Sequence, residues 1–214
     1  MKKFSLLFTA ILFTAAVSAQ NSTRARAILD NARITYEQSN GVSFNFKIVT
    51  ADANGKSYPA QSGKAMAKRN KFKLEMPDAE TWFDGTTQWV WVKSTNEVNI
   101  SRPTNEELTS ISPTVLLNLY KNGFALTDPV SKSINGKSAS VIKLMPTSTR
   151  SDFKQISIAI DTKNNAVIQI QTWTKDNSRN TIDITNYNTN NNFSDSMFVF
   201  DKSKHPGAEI IDLR

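Results

Sequence analysis

The feature that most constrains the fold is an alternation of apolar and polar side chains along most of the chain. Phe44 and Phe46 stand at every second position between polar neighbours, and the isoleucines of residues 156–160 repeat this spacing. A period of two is typical of a β strand with one buried face and one solvated face. Turn dipeptides such as Asn54-Gly55 separate these stretches, which indicates a meander of short antiparallel strands.

We predict roughly ten or eleven strands from this pattern, a number and spacing that favour a sandwich or a barrel. The fold class is therefore mainly β. The first strand begins at Val42, the next cover residues 63–69, 71–76, 81–84, 87–93, 97–101, 138–145, 154–161, 166–174 and 179–187, and the last carries Phe198 and Phe200.

Helices are predicted in two regions. Between Thr23 and Ser39 the apolar residues recur at spacings of three and four, which predicts an amphipathic helix. Two further helices are predicted to interrupt the strands, and Thr104 and Glu107 form a capping-box pattern that marks the first of them. Ser112-Pro113 then begins a second helix that would run to about Asn122-Gly123 and is apolar over much of its circumference. A surface helix of this kind must cover an apolar surface.

Residues 1–19 have the pattern of a secretory signal peptide. Lys2 and Lys3 precede an apolar run, and small residues surround an expected cleavage after Ala19. The alternative, a membrane anchor, is disfavoured because the run is shorter than the roughly 20 residues that cross a bilayer. Residues 20–214 are then expected to form one domain. The chain has no cysteine, so neither disulfides nor thiol chemistry is available to it.

The sequence contains little that points to catalysis. His205 is the single histidine, and its Lys204-Pro206 surroundings predict an exposed loop instead of a triad member. Ser151 and Lys154 match a Ser-x-x-Lys pattern without its companion motifs. We therefore predict no enzyme activity, no metal and no cofactor. The formal net charge is +7, to which Lys2 and Lys3 contribute. The basic residues are interspersed with acidic ones along the chain, so nucleic-acid binding is not expected.

The aromatic residues are the main candidates for a binding site. Phe44, Phe46, Phe72, Trp89 and Trp91 lie in neighbouring predicted strands, and alternation could direct several of them to one concave face. An ordinary packed core explains the pattern equally well. The apolar second helix, with Leu116 and Leu119, favours a cavity under a lid.

Two sequence runs resemble a known family. Residues 63–78, which include Lys68-Arg69, and residues 82–91, which include Asp84-Gly85, are similar to the signature of the periplasmic outer-membrane lipoprotein carriers, the LolA-like family. The order of the predicted elements also agrees over nearly the whole mature chain. The sequence departs from the family pattern at Asn70, where a proline usually follows the arginine.

This resemblance implies an incomplete, strongly curved antiparallel β-barrel covered by helices. It also implies a monomeric periplasmic carrier that ferries acylated lipoproteins from an inner-membrane lipoprotein-releasing transporter to an outer-membrane acceptor. Arg69 would latch the lid, Phe72 would match the aromatic residue after the latch, and Met76 would face the cavity. One alternative stays open, a related lipid or glycolipid binding or sensing module of the cell envelope. A second, a hydrolase, is disfavoured because the single histidine lies near the C-terminus.

Overall fold

The computed structural model describes residues 22–104, 107–108, 118 and 120–214. Helix α1 spans Thr23–Glu37 and precedes a sheet of 13 strands. The strands are β1 Val42–Ala51, β2 Gln61–Lys68, β3 Lys71–Glu75, β4 Ala79–Phe83, β5 Gln88–Val92, β6 Glu97–Ser101, β7 Phe124–Leu126, β8 Val130–Ile134, β9 Lys137–Pro146, β10 Phe153–Asp161, β11 Val167–Thr174, β12 Arg179–Asn188 and β13 Glu209–Asp212.

The first strand, β1, lies in the middle of the sheet and pairs with β2 on one side and with β12 on the other. Its strand order is β13-β6-β5-β4-β3-β2-β1-β12-β11-β10-β9-β7, and β8 pairs with the remaining length of β9. All pairs are antiparallel except that of β13 with β6. Among the described strands no pairing joins β13 to β7, so the sheet is not closed. The predicted mainly β, antiparallel and incomplete architecture is confirmed.

Alternation places one set of apolar side chains on a single face, which we call the inner face. Across the central strands, Phe46 is paired with Ile184 and Ile158 is paired with Ile142 and Ile170. These side chains belong to the main core cluster together with α1. The opposite face, the outer face, carries Lys73 and Trp82, which are paired across β3 and β4.

Helix α1 lies on the inner face because its apolar side chains form one stripe. Ala25, Leu29, Ala32 and Tyr36 follow each other at intervals of three or four residues and are all buried. Ser22 caps the helix by accepting a hydrogen bond from the Ala25 amide at 3.2 Å. The helix predicted between Thr23 and Ser39 is thus present.

The capping box at Thr104 is also confirmed. The Thr104 amide donates to the Glu107 carboxylate at 2.7 Å, and the Glu107 amide donates to the Thr104 hydroxyl at 3.3 Å. Leu108, one residue further, is buried in the main core cluster. Most of the predicted second helix, including Leu116 and Leu119, lies outside the described residues, as do residues 1–19.

The predicted last strand is wrong. Residues Asp195–Phe198 form a 3-10 helix, and Lys202–Lys204 form another. The final strand is β13, whose Ile210 is paired with Val98 of β6. Phe198 is fully buried, so the two aromatic residues reflect packing of this segment against the sheet and not strand alternation. No helix in the described ranges is long and apolar enough to cross a membrane.

Candidate functional site

The inner face carries the larger of the two core clusters in the described part of the chain. Its centre is formed by isoleucine side chains from β10 and β11 that are at most 2% exposed: Ile156, Ile158, Ile160 and Ile170. α1 covers them, and Leu108 and Tyr120, which lie between β6 and β7 in the chain, join the same cluster. The strands are hydrogen-bonded to one another, and α1 covers their apolar face without taking part in these pairings.

Three of the predicted lining residues meet on this face. Phe44, Phe46 and Phe72 are 4%, 8% and 1% exposed and belong to one cluster. The Phe72 ring packs against Phe83 with centroids 5.2 Å apart. Met76 follows β3 and packs against the edge of the same cluster.

A register shift adds Tyr187 to this face. Ser43 of β1 is opposite Asn188, whereas Asn45 is opposite Thr185, so β12 carries one extra residue here. Tyr187 therefore stacks on Phe44 with centroids 6.2 Å apart. Burial raises the pKa of Tyr187 to about 12, so its hydroxyl stays neutral at physiological pH.

Phe46 also covers Gly63, its partner across β1 and β2. A Cβ at Gly63 would lie 2.5 Å from the Phe46 Cζ atom and 2.5 Å from the Glu75 carbonyl oxygen. The absence of a side chain at Gly63 thus lets the Phe46 ring approach β2 closely. An open groove of about 670 Å3 lies beside this point and is lined by Phe46, Gly63 and Met76 with polar neighbours from the outer face.

We expect Gly63→Ala to lower the free energy of unfolding by about 1–3 kcal/mol, because the methyl group collides with both the ring and the backbone. Chemical denaturation measures this loss. A second substitution, Phe46→Leu, should return part of it by removing the ring atom that collides. An unchanged midpoint in the Gly63→Ala protein would contradict the close approach.

Trp89 and Trp91 do not join the other predicted residues. Trp89 is paired with Trp82, and Trp91 is paired with Glu80, so both point to the outer face. The prediction that they share a face with Phe44 is wrong, because the β4–β5 turn fixes a register that sequence alternation alone does not specify.

Trp91 and Trp82 pack around His205 on the outer face. The His205 ring lies 4.4 Å from Trp91, 4.9 Å from Phe200 and 5.5 Å from Trp82, measured between centroids. A groove of about 850 Å3 adjoins this cluster, and its walls combine apolar side chains such as Met197 and Val199 with charged ones. The single histidine therefore packs among aromatic rings and attaches the C-terminal segment to the sheet.

The Asp195 carboxylate lies between two lysines and also attaches the C-terminal segment to the sheet. Asp195 accepts hydrogen bonds from Lys71 at 2.8 Å and from Lys68 at 3.1 Å. These two contacts, first that of Lys71, lower the pKa of Asp195 to about 2. Because the folded-state pKa is depressed, the contribution to stability is present above the ordinary value of 3.8 and is lost as the pH falls towards 2.

We expect NMR titration of the Asp195 carboxyl carbon to give a midpoint near 2. The Lys68→Gln/Lys71→Gln protein should titrate close to the ordinary aspartate value, because neutral side chains no longer favour the charged carboxylate. A midpoint that does not change in the double variant would contradict the assignment of the two lysines.

Arg69, the predicted latch, lies in the turn between β2 and β3 with a φ of +56°. Its side chain is exposed. Its contact with the helical cover is made by the backbone, since the Arg69 carbonyl accepts a hydrogen bond from the Tyr36 hydroxyl at 2.6 Å. A latch role for the guanidinium stays a prediction, because Leu116, Leu119 and their neighbours lie outside the described residues.

A second polar contact joins α1 to Tyr120, just before β7. The Tyr120 hydroxyl donates to Asp30, and Arg33 lies 3.8 Å from the same carboxylate while also pairing with Glu37. Tyr120 is fully buried. Burial and then the hydrogen bond to Asp30 raise the pKa of Tyr120. Within the described ranges no group of three or more acidic or histidine side chains could hold a metal ion.

The fold and this face define a class: an incomplete antiparallel β-barrel with an apolar inner surface under a helical cover. The sequence matches the family described as outer membrane lipoprotein carrier protein LolA over residues 15–173. The chain therefore belongs to the LolA family, whose members are periplasmic carriers and generally not enzymes. No curated protein shows a significant sequence match to it.

Several solved structures share this fold at low sequence identity. An uncharacterised conserved protein from Thermus thermophilus has a TM-score of 0.58 at 10% identity, over 88% of this chain and 98% of its own. MucB has a TM-score of 0.50 at 14% identity, over 84% of this chain and 64% of its own. A LolA superfamily protein from Nitrosomonas europaea has a TM-score of 0.45 at 12% identity, over 85% and 100%. A complex of MucA with MucB from Pseudomonas aeruginosa also matches.

Proposed function

We propose that the protein is a periplasmic carrier that holds the acyl chains of lipoproteins against its inner face and moves them from the inner to the outer membrane. The observation that carries this proposal is the apolar inner face, which is covered by a helix outside the sheet's hydrogen-bond network. Such a cover can leave without breaking a strand pair. The signal peptide predicted at residues 1–19 would place the carrier in the periplasm.

The energetics of acyl binding fit a carrier. Each buried methylene is worth about 0.8 kcal/mol, so one long acyl chain contributes roughly 10 kcal/mol before other costs. Contacts that α1 makes with the inner face must be given up when a chain enters, which reduces the net affinity. Cargo can then be passed on instead of being trapped. The partners in this proposal are an inner-membrane lipoprotein-releasing transporter as donor and an outer-membrane acceptor.

The direct test is incubation of the purified protein with spheroplasts that hold labelled lipoproteins in the inner membrane. We expect lipoproteins to enter the soluble fraction in complex with the protein. Release no greater than with buffer alone would refute the carrier function.

The chain offers a matched pair of variants for this assay. Ala65 is 1% exposed between Phe44 and Leu74 on the inner face, whereas Ala60 is exposed. Ala65→Trp should fill the space that an acyl chain would use and reduce release, and Ala60→Trp should not. Equal release of lipoproteins by both folded variants would show that the acyl chains do not bind at the inner face.

Mass spectrometry of lipids that co-purify with the protein separates the related alternative. Bound lipoprotein supports the carrier, whereas a bound glycolipid or free lipid would identify a binding or sensing module of the cell envelope.

A further inference from the structure

We propose that the C-terminal segment, residues 193–208, forms a docking surface for membranes that contain anionic phospholipids. The surface is the groove of about 850 Å3 on the outer face of the sheet. Its walls combine two exposed apolar side chains, Met197 and Val199, with two exposed lysines, Lys202 and Lys204. Apolar side chains beside cations are the combination that binds the interface of an anionic bilayer.

Met197 and Val199 are held outward by an anchored stretch of backbone. Phe198, which lies between them in the chain, is fully buried. The 3-10 helix Asp195–Phe198 is attached to the sheet through its first carboxylate, and further along the chain His205 packs among three aromatic rings. Because both flanks are attached, the exposure of Met197 and Val199, 36% and 40%, is a fixed feature of the surface. Apolar side chains gathered in one exposed groove indicate an interaction site.

The segment and the strands that hold it carry more cations than anions. Asp195 is shared by one lysine from β2 and one from β3. Lys204 pairs with Asp201 at 3.5 Å, and Lys202 forms no ion pair with any residue that the structure describes. Four lysines thus face two carboxylates, which leaves two positive charges in excess. Such an excess attracts lipid phosphates over a distance of about 10 Å at an ionic strength of about 0.1 M.

The remaining groove lining adds apolar surface without changing this charge. The half-buried Phe200 ring packs on Trp82 with centroids 5.4 Å apart. Lys73 and Glu80 also line the groove and pair with each other at 3.1 Å. The positive charge of the groove therefore comes from the lysines of the C-terminal segment, next to its apolar side chains.

Docking at this surface is separate from the binding of acyl chains at the inner face. A bilayer that meets the outer face contacts neither α1 nor the main core cluster, since both lie on the other side of the sheet. The protein can therefore stay at the membrane surface while its inner face is free to exchange cargo. Attachment of this kind raises the local concentration of the protein at the membrane.

Sedimentation with lipid vesicles tests the docking surface without any lipoprotein. We expect the full chain to bind vesicles of mixed phosphatidylglycerol and phosphatidylcholine at least about tenfold more tightly than vesicles of phosphatidylcholine alone. Added salt should reduce this preference, because ions screen the lysines from the lipid phosphates. Equal binding to both kinds of vesicle would overturn the proposal.

A double lysine substitution measures the electrostatic part. Lys202→Gln/Lys204→Gln should weaken binding to the anionic vesicles about tenfold. Lys132→Gln/Lys143→Gln is the matched control, because it removes the same charge from two exposed lysines of β8 and β9. It should bind nearly like the wild type, and an equal loss in both variants would show that only the net charge of the chain matters.

A second pair of variants measures the apolar part. Met197→Ser/Val199→Ser should weaken binding about fivefold, because the two side chains no longer leave water on docking. The control Met145→Ser/Val130→Ser makes the same two changes at side chains that are 39% and 53% exposed on β9 and β8. Equal losses in this pair would contradict insertion at the C-terminal segment.

A spin label locates the docked surface directly, because the chain has no cysteine and a single introduced one is labelled selectively. We expect a nitroxide on Met197→Cys to enter the boundary between head groups and acyl chains of bound vesicles, where dissolved oxygen reaches it more readily than a water-soluble nickel complex. A nitroxide on Val130→Cys should stay in water. A water-exposed label at position 197 in the vesicle-bound protein would refute the docking surface.

Failure of the wild type to bind anionic vesicles at all would also overturn the proposal, in favour of a protein partner with acidic side chains. That result would leave the carrier function standing, since release of lipoproteins from spheroplasts tests it separately.

Discussion

Phe72→Ala is expected to lower the free energy of unfolding by about 3–5 kcal/mol, among the largest losses for any single substitution in the chain. Phe72 is 1% exposed and packs on Phe83 at 5.2 Å between ring centroids. Its replacement leaves a cavity at the point where β3 and β4 support the inner face. Truncation of a phenyl ring in such surroundings loses both the transfer free energy and the contacts of the cavity walls.

Equilibrium denaturation in urea measures this change, and Tyr58→Ala is the control because its aromatic ring is 48% exposed. The control should change by well under about 1 kcal/mol. A loss of similar size in both variants would mean that Phe72 is not enclosed by its neighbours.

Ala32→Asp is expected to detach α1 while the sheet stays folded. Ala32 is 1% exposed where α1 meets the inner face, so a carboxylate at this position would be buried without a partner. Burial of an unpaired charge costs several kcal/mol, which exceeds what the small apolar stripe of the helix can offset. The strands keep their hydrogen bonds, because none of the sheet pairings involves α1.

Hydrogen exchange should then show lost protection in α1 and retained protection in β10 and β11. The Ala32→Asp protein should bind a fluorescent triacylated lipopeptide at least tenfold more tightly than the wild type, since its inner face is uncovered. Asn31→Asp places the same charge on the exposed side of the helix and should leave both properties unchanged. Simultaneous loss of protection in helix and sheet would show that α1 is part of the core and not a removable cover.

The strands were predictable because each has one buried and one solvated face. The stretch 97–101 coincides with β6, and most other predicted strands agree with the structure within two residues. β7, β8 and β13 were missed. β7 has only three residues, and β8 is an exposed strand whose side chains do not alternate in burial.

The faces of the strands were less predictable than the strands themselves. Adjacent residues Trp82 and Phe83 point to opposite faces, and only the register across the β4–β5 turn assigns Trp89 to the side of Trp82. The parallel pairing of β13 with β6 joins segments far apart in sequence, for which no local signal exists.

The hydrogen bond from Tyr36 to the Arg69 carbonyl could not be predicted from the sequence, for another reason. In the sequence, Tyr36 belongs to the apolar stripe of an amphipathic helix. The acceptor of its hydroxyl is a backbone carbonyl, which every residue type has, so no sequence pattern identifies it. The family resemblance implies a role for the Arg69 side chain, whereas the hydrogen bond with Tyr36 is made by the Arg69 main-chain carbonyl.

The measurement that tests the central claim most directly is methyl NMR of the protein bound to a lipopeptide whose acyl chain carries a spin label. Isoleucines lie in both core clusters, which provides an internal control. We predict strong broadening of the Ile156, Ile158 and Ile170 methyl signals on the inner face and little effect on Ile134 and Ile168, which pack in the separate smaller cluster. Broadening centred on that smaller cluster or on the outer face, with the inner-face signals unchanged, would contradict the account.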